Sequence, residues 1–270
     1  MRKLLKGIHL VALVLPHLIW DYFTWILPCS RHPERYPIST RYQKARKLVL
    51  WILRVCHFNL QTRGEIVHPG TQLYVSNHLS VLDPLVLIAL SDEPVSFIAK
   101  KEARKIPVAG KLIKAIDGLF LDRDDPFQAV KLFRIAKKNM ADSGMSYAIF
   151  PEGTRQKQPY LGEVLPFHPG SFKLAQMAKC PITAYVSYGS FHFVDEKPGR
   201  NFPLTLQMLR RYETDEVMGK PTTELASGCE GLFNKALPVL VEEDQAYFEQ
   251  GKNRAKAPKW WDNLLIQEKK

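Results

Sequence analysis

Short apolar runs alternate with amphipathic stretches along most of the chain. From about residue 61, six runs of apolar and β-favouring residues predict strands at 73–76, 95–99, 119–122, 145–150, 182–188 and 204–208. The segments between these runs have the spacing of helices. This alternation predicts an α/β fold with a mostly parallel or mixed sheet flanked by helices.

The clearest helix pattern covers residues 126–141. Asp125 precedes it as a cap, and Pro126 suits the first helical position. Apolar residues then recur on one face at helical spacing, at Phe127, Val130, Phe133, Ala136 and Met140. Two further helices are predicted at 101–117 and 170–179.

The first 60 residues follow a different pattern, in which long apolar runs adjoin basic residues. Residues 7–27 are about long enough to cross a bilayer, although polar residues such as Asp21 interrupt them. A second apolar stretch, 48–56, follows a basic lead made of Arg41, Lys44, Arg46 and Lys47. Lys44, Lys47 and Arg54 share one helical face, largely opposite Val49, Ile52 and Leu53. The pattern changes near residue 60, which predicts a module at 1–60 and an α/β domain at 61–270.

Charge identifies the N-terminal module as the basic part of the chain. The 270 residues carry a formal net charge of +11, and residues 1–60 contain ten Lys or Arg against two acidic residues. Because Leu, Ile and Val are interleaved with these cations, anionic membrane lipid is favoured as the partner and nucleic acid is not.

Three arrangements fit the N-terminal module. The preferred one is a hairpin of two helices in one leaflet, at the cytoplasmic face of a membrane, because positive flanks on both sides of the first helix oppose a simple crossing. The others are a true span and soluble helices packed on the domain. In the polar tail, Trp260 and Trp261 are either a second interfacial contact or packing residues. The four scattered cysteines indicate a reducing compartment, and no His, Cys and carboxylate cluster has metal-ligand spacing.

Candidate chemistry begins where the first predicted strand of the α/β domain ends. Asn77 and His78 follow residues 73–76, and Asp83 follows five residues after His78. Open α/β sheets place ligands at the carboxyl ends of strands, and a carboxylate can orient an imidazole that acts as a general base. Asp83-Pro84 also reads as the start of a helix, so a helix cap beside a surface histidine explains these two residues equally well.

A second candidate site follows the strand at 145–150, where the sequence reads Phe-Pro-Glu-Gly-Thr-Arg from Phe150 to Arg155. Backbone N–H groups around Gly153, the Thr154 hydroxyl and the Arg155 guanidinium together suit a phosphate or another oxyanion. Taken alone, such a sequence is more often an ordinary turn. Its pairing with the histidine and aspartate box makes it specific.

These boxes, in this order, resemble those of the lysophospholipid (glycerolipid) acyltransferase family. The likeness covers roughly residues 65–190 and includes the segments Gly118–Arg123, Phe97–Glu102 and Pro181-Ile182. The resemblance implies a membrane-associated O-acyltransferase, with an N-terminal two-helix membrane motif. The implied reaction moves an acyl group from acyl-CoA or acyl carrier protein to the free hydroxyl of a lysophospholipid, most simply 1-acylglycerol-3-phosphate, and gives phosphatidic acid without a resident cofactor.

The resemblance also implies roles for individual residues. His78 is the base and Asp83 holds its ring, with Asn77 orienting the loop and Ser80 as a less favoured nucleophile. Arg155, Gly153 and Thr154 bind the acceptor phosphate, with Lys100 as the second cation. Lys101, Arg104 and Arg123 are weaker cationic candidates, and Glu152 braces the turn or contacts the glycerol. His57, His68, His168 and His192 are interpreted as structural.

Two other classes of protein remain as alternatives. A lipid-ester hydrolase would use a similar His–Asp pair, but it would want a Gly-x-Ser-x-Gly elbow, which the chain lacks. A non-catalytic, membrane-docked lipid-binding protein is the second. Within the acyltransferases, the acceptor could also be another lysolipid, because Arg155 reports only an anion.

Overall fold

A computed structural model describes residues 14–65, 69–122, 125–193 and 201–254. These residues build one seven-stranded sheet with helices on both faces. The strands are β1 (Phe58–Arg63), β2 (Leu73–Ser76), β3 (Val95–Lys100), β4 (Leu119–Leu121), β5 (Ser146–Ile149), β6 (Ile182–Tyr188) and β7 (Phe202–Tyr212). The predicted α/β fold with a mixed, helix-flanked sheet is confirmed.

The strand order is β1-β7-β6-β2-β5-β3-β4. Neighbouring strands are parallel except at β6 and β7, which are antiparallel. Every residue of β2, β5 and β6 is buried, as expected for central strands covered on both faces. Alternate residues of β2 enter different cores: Leu73 and Val75 contribute to one, and Tyr74 to the other.

Strand β1 was not predicted from the sequence. It pairs in parallel with β7, with Phe58 opposite Phe202 and Leu60 opposite Leu204. The strand lies across residues 60 and 61, between which the sequence divides the chain. The division into two modules stays a prediction.

After the helical residues 14–21, α-helices lie at Leu27–Arg31, Ile38–Val55, Asp83–Leu90, Ala109–Ala115, Pro126–Ser143, Lys173–Ala178, Thr214–Gly219 and Thr222–Glu249. The predicted helix at 101–117 is wrong as one element: a 3₁₀ turn, Lys101–Lys105, is separated from the helix Ala109–Ala115. The segment 170–179 is likewise a 3₁₀ turn, Pro169–Phe172, followed by a short helix. The four cysteines are buried free thiols.

The helix Pro126–Ser143 begins as predicted, with the Asp125 carboxylate accepting a hydrogen bond from the Gln128 N–H at 3.0 Å. Phe133, Ala136 and Met140 on its apolar face are buried. Phe127 and Val130, which share the predicted apolar face, are not buried: the Phe127 side chain is 89% exposed and Val130 is 47% exposed.

The helix Ile38–Val55 packs on the sheet domain. Leu48, Val49 and Leu53 are buried in the same core as β1. Two of its predicted lipid-binding cations are also buried: Arg41 pairs with Asp117 at 2.8 Å, and Arg46 pairs with a further carboxylate. For this helix the prediction of an apolar face in a leaflet is wrong, and packing on the domain, the third arrangement, is observed.

The segment that precedes this helix remains partly exposed. Residues 14–21 are helical and continue through a π-helical turn, Tyr22–Ile26, into the helix Leu27–Arg31. No helix in the described ranges is long and apolar enough to cross a membrane. The predictions for residues 7–13, His68, Arg123, Trp260 and Trp261 lie outside the described residues.

Candidate active site

The carboxyl ends of β2, β3, β5 and β6 lie at one edge of the sheet because these strands are parallel. We call this edge, with the residues that follow each strand, the catalytic edge. At its centre, Asn77 follows β2, and its side chain bonds twice to the Ser187 backbone of β6. The Nδ2 atom donates to the Ser187 carbonyl at 2.9 Å, and Oδ1 accepts from the Ser187 N–H at 2.8 Å. This pair of hydrogen bonds fixes the direction in which the chain leaves β2 toward His78.

His78 and Asp83 contact each other directly. Asp83 is the first residue of the helix Asp83–Leu90, and its Oδ2 atom lies 2.9 Å from His78 Nδ1. The same oxygen accepts hydrogen bonds from the N–H groups of Leu79 and Ser80, both at 2.7 Å. Asp83 is a first-turn residue, as the sequence allows, but its carboxylate organises the preceding loop, so the cap interpretation is not supported. The five-residue spacing works because residues 78–82 form a turn.

Ser190 completes the surroundings of Asp83, and the sequence did not identify it. Its hydroxyl donates to Asp83 Oδ1, and its side chain is buried. Ser190 begins the 3₁₀ turn Ser190–Phe193, directly after β6 and Gly189. A polar residue after a glycine at the end of a buried parallel strand is the signal that could have found it. In the same turn, His192 Nε2 lies 2.7 Å from Asp244 Oδ1, and both side chains are buried, so His192 is structural as predicted.

Glu152 lies beneath the histidine loop. Its Oε1 atom accepts from the His78 N–H at 2.6 Å, and Oε2 accepts from the Leu165 N–H at 3.0 Å. Both oxygens are therefore used in bracing the site, which favours the bracing role over a glycerol contact. Burial raises the pKa of Glu152 to about 7, against the opposing effect of the two backbone hydrogen bonds.

The turn after β5 differs in one respect from the predicted oxyanion site. Gly153 adopts φ 72°, and its N–H donates to the Phe150 carbonyl at 2.9 Å. This amide is consumed within the turn, so the prediction that it is open to a phosphate is wrong. The Thr154 and Arg155 side chains are exposed. The next residue, Gln156, donates its N–H to the His78 carbonyl at 2.8 Å, which holds Arg155 beside the histidine loop.

The cationic candidates separate by their contacts. Lys100 is the last residue of β3, is exposed, and lines a cavity at the catalytic edge. Lys101 is bound to Asp122 at 2.8 Å, and the Arg104 guanidinium lies 5.1 Å from the centre of the Phe120 ring. Lys100 is therefore the candidate most accessible to a ligand. Arg123 is in the undescribed part of the chain.

This cavity has a volume of about 530 Å³, within the range of small-molecule sites. Its wall is mostly apolar and includes Ile98, Leu121, Phe133, Ile149 and Phe150. It reaches the catalytic pair through Phe150, whose ring stacks on the His78 imidazole at a centroid distance of 4.5 Å. His168 lies on the cavity as well and is exposed, a position that its structural interpretation did not predict. The cavity could not be predicted from the sequence, because its walls come from distant segments.

The long loop after Arg155 is tied to the C-terminal helix, Thr222–Glu249. The Val164 N–H donates to Asn234 Oδ1 at 3.0 Å, and the Phe167 N–H donates to Glu230 Oε2 at 2.8 Å. On the other side of the site, the Ser80 hydroxyl is buried and accepts a hydrogen bond from the Leu82 N–H at 3.3 Å. These contacts assign Ser80 a place in the turn and give no support to a nucleophilic role.

Comparisons with known proteins identify the family of the chain. A family model described as acyltransferase matches residues 57–187, which include His78, Asp83 and the turn from Phe150 to Arg155. The chain is 30% identical over 200 residues to a probable 1-acyl-sn-glycerol-3-phosphate acyltransferase of Mycoplasma genitalium, covering 70% of this chain and 73% of the relative. A protein of the same description from Mycoplasma pneumoniae is 30% identical over 246 residues, covering 88% and 90%.

The fold also has a counterpart among solved structures. The crystal structure of the 1-acyl-sn-glycerophosphate (LPA) acyltransferase PlsC from Thermotoga maritima superimposes with a TM-score of 0.65 at 23% identity, covering 91% of this chain and 98% of that one. At this identity the likeness supports the fold alone. The sequence relatives support more: the chain belongs to the lysophospholipid (glycerolipid) acyltransferase family and is an O-acyltransferase.

Proposed function

We propose that this enzyme transfers an acyl group from an acyl thioester to the free hydroxyl of 1-acylglycerol-3-phosphate, which gives phosphatidic acid. The observation that carries the proposal is the contact between His78 and Asp83 at the catalytic edge, beside the exposed Arg155 and an apolar cavity. The two Mycoplasma relatives, each described as a probable 1-acyl-sn-glycerol-3-phosphate acyltransferase, support this choice of acceptor over other lysolipids.

His78 is the general base. Its Nδ1 atom is bonded to Asp83, so the productive tautomer carries the proton on Nδ1 and leaves Nε2 for the acceptor hydroxyl. As Nε2 takes the proton, the hydroxyl oxygen attacks the thioester carbonyl and an oxygen–carbon bond forms. The carbon–sulfur bond then breaks, and the departing thiolate takes the proton from the His78 imidazolium, so the donor leaves as a free thiol. Asp83 stabilises the imidazolium between these two events.

The acceptor phosphate binds at the end of β5 and β3. Arg155 supplies two parallel N–H donors and Thr154 supplies a hydroxyl, while Lys100 adds a second positive charge. The apolar cavity that reaches His78 through Phe150 accommodates an acyl chain. Donor and acceptor supply all the reacting atoms, so no resident cofactor or metal is required. Acyl-CoA and acyl carrier protein both fit as donors.

The acceptor is a membrane lipid, and the enzyme meets it at the cytoplasmic face of a membrane through its N-terminal segment. The exposed apolar residues there, among them Trp20 and Phe23, support this part of the proposal. Aromatic side chains of this kind favour the interface between headgroups and acyl chains. Because the helix Ile38–Val55 is packed on the domain, the lipid contact belongs to the segment before it.

The proposal is tested by thiol release from acyl-CoA and from acyl carrier protein, with lysophosphatidic acid and a panel of other lysolipids as acceptors. We expect lysophosphatidic acid to be the preferred acceptor and His78→Ala to abolish transfer, with an unchanged circular dichroism spectrum. His32→Ala removes an exposed histidine and serves as the matched control. A His78→Ala enzyme with turnover near that of the unsubstituted enzyme would refute the base assignment. Preference for another lysolipid would refute the acceptor, and ester hydrolysis without transfer would favour a hydrolase.

A further inference from the structure

An exposed apolar surface joins two segments that are far apart in the sequence. Five of its side chains are between 46 and 68% exposed: Leu15, Ile19, Trp20, Phe23 and Ile106. We call these five residues the apolar patch. Four of them come from the N-terminal segment, and Ile106 comes from the loop after β3. A shallow cavity of about 330 Å³, lined by Leu15, Ile19, Phe23 and Ile106, connects the two segments into one surface.

The loop that carries Ile106 has an unusual backbone. Val108 adopts φ 62°, and the Ala109 N–H donates to the Pro107 carbonyl at 2.7 Å, which makes a γ-turn with positive φ. A β-branched residue in this conformation is strained by about 1–3 kcal/mol, and such strain persists only where the surroundings hold it. Gly110 allows the loop to pack closely on the preceding turn, because a Cβ atom at this position would lie 2.4 Å from the Arg104 carbonyl oxygen. Ile106 is thus displayed by a fixed loop.

The position of this loop relates the apolar patch to catalysis. Strand β3 ends at Lys100, and the chain then enters the 3₁₀ turn Lys101–Lys105 and reaches Ile106. Because β3 is parallel to β5, and β5 to β2, the loop leaves the same edge of the sheet as His78. The helix that follows, Ala109–Ala115, packs on the N-terminal segment at Tyr22–Ile26 and Leu27–Arg31. The two parts of the patch therefore belong to one body with the catalytic edge.

Charge around the patch indicates what covers it. Arg104, Lys105 and Lys111 line the same cavity as Ile106 and are exposed. A cluster of apolar side chains rimmed by cations is suited to a lipid surface with anionic headgroups, where each cation contributes to binding.

We propose that the Ile106 loop is a second membrane contact, which acts with the N-terminal segment to seat the catalytic edge on an anionic lipid surface. The proposal rests on the proposed function in one respect, since it assumes that the acceptor reaches His78 from that surface. Two contacts fix the orientation of the enzyme on the membrane. With the N-terminal helix as the single contact, the enzyme could rotate about that helix and the catalytic edge would have no fixed position relative to the lipid surface. Lipid binding by the loop then affects transfer only for acceptors that are embedded in a membrane.

The test uses the full chain and vesicles of phosphatidylcholine with phosphatidylglycerol. Ile106→Asp places a charge in the centre of the patch and is expected to weaken vesicle binding about tenfold, with a similar loss of activity on vesicle-embedded lysophosphatidic acid. Activity on monomeric short-chain lysophosphatidic acid is expected to stay unchanged. Val239→Asp is the matched control, because Val239 is 52% exposed on the C-terminal helix and lies outside the patch.

The outcomes separate the two proposals. Equal vesicle binding by Ile106→Asp and the unsubstituted enzyme would overturn the loop contact, and so would an equal loss in Val239→Asp. A change from dimer to monomer in lipid-free Ile106→Asp, measured by sedimentation, would assign the patch to a second copy of the chain instead. If the unsubstituted enzyme binds vesicles in an Ile106-dependent way but transfers no acyl group to either acceptor, the proposed function fails and the membrane contact stands.

Discussion

Ser190 offers a sharp test of how the catalytic pair is held. Asp83 accepts three hydrogen bonds on Oδ2, from His78, Leu79 and Ser80, whereas Ser190 is the donor to Oδ1. Ser190→Ala removes that donor and leaves Oδ1 in a site where the Asp83 side chain is 1% exposed. The substitution adds no bulk and touches no substrate, so its effect on transfer reaches the reaction through Asp83 alone.

The magnitude follows from the burial of this carboxylate. A buried hydrogen bond to a charged group contributes about 1.5–3 kcal/mol, and most of its loss is felt by the folded state with or without substrate. Only the part that loosens Asp83 against His78 affects the reaction. If about half of this hydrogen-bond energy is lost from the stabilisation of the transition state, kcat falls by roughly threefold to tenfold. The KM for the acceptor is expected to stay unchanged, because Ser190 bonds to the Asp83 oxygen that His78 does not contact.

The two kinetic parameters separate positioning from general damage. Without Ser190, Asp83 is held less firmly against His78, so we expect kcat to fall while the acceptor KM stays unchanged. The assay is thiol release at varied acceptor concentration, with unfolding followed in parallel.

Ser187→Ala is the matched control for this experiment. Its hydroxyl is buried in β6, three residues away, and has no hydrogen-bond partner in the described structure. We expect it to leave kcat and the acceptor KM unchanged. The reasoning fails if Ser190→Ala keeps full kcat, or if both serine variants lose activity equally.

Two further substitutions test the turn after β5. Arg155→Ala is expected to raise the acceptor KM by about tenfold to a hundredfold and to leave the donor KM unchanged, because it removes a phosphate contact made in the ground state. Lys157→Ala, which replaces another exposed cation, is the control. Equal effects of Arg155→Ala on both substrates would contradict the assignment. For Glu152, burial raises the pKa from 4.5 to about 7, so the folded state binds more protons than the unfolded state between these two pH values. The contribution of Glu152 to the free energy of unfolding is therefore lost as pH rises through this window, by up to about 3 kcal/mol. Urea unfolding at pH 5 and pH 8 checks the sign: the pH dependence is expected to be smaller in Glu152→Gln, and an identical dependence in both proteins would refute the pKa.

The central strands could be predicted from the sequence because each is buried on both faces and reads as a continuous apolar run. Strands β2 and β6 have the predicted bounds. Strand β1 could not be found in this way, since Gln61 and Arg63 lie at the edge of the sheet and stay partly exposed. Its existence depends on pairing with β7, which lies more than a hundred residues further along the chain.

The N-terminal helices show where apolar periodicity is ambiguous. The apolar face of the helix Ile38–Val55 is suited to a lipid surface and to a protein core equally well. Which of the two it contacts depends on the segments it packs against, and these cannot be identified from the sequence pattern of the helix alone. Tyr42 illustrates this, because its hydroxyl donates to the Ser91 carbonyl at 3.1 Å, at the end of the helix Asp83–Leu90. The sequence likewise predicts Arg41 as a lipid-binding cation, whereas in the structure its buried guanidinium is paired with Asp117.

The candidate site divides along similar lines. His78, Asp83 and the turn from Phe150 to Arg155 could be predicted because each group is local and follows a strong strand. The consumed Gly153 amide could not, since it depends on the φ angle of one residue. The apolar cavity was also beyond prediction, because β3, β4, β5 and two helices build it together.

The C-terminal helix Thr222–Glu249 supports the catalytic pair from two sides, although the acyltransferase family model ends at residue 187. On one side, Asp244 holds His192, and therefore the turn whose first residue, Ser190, bonds to Asp83. On the other side, Glu230 and Asn234 hold the loop whose Leu165 N–H bonds to Glu152, the carboxylate that in turn accepts the His78 N–H. A shift of this helix would thus reach both members of the pair at once, His78 through Glu152 and Asp83 through Ser190. The geometry of the reacting groups depends on residues that lie outside the matched segment, and the boxes alone do not make the site.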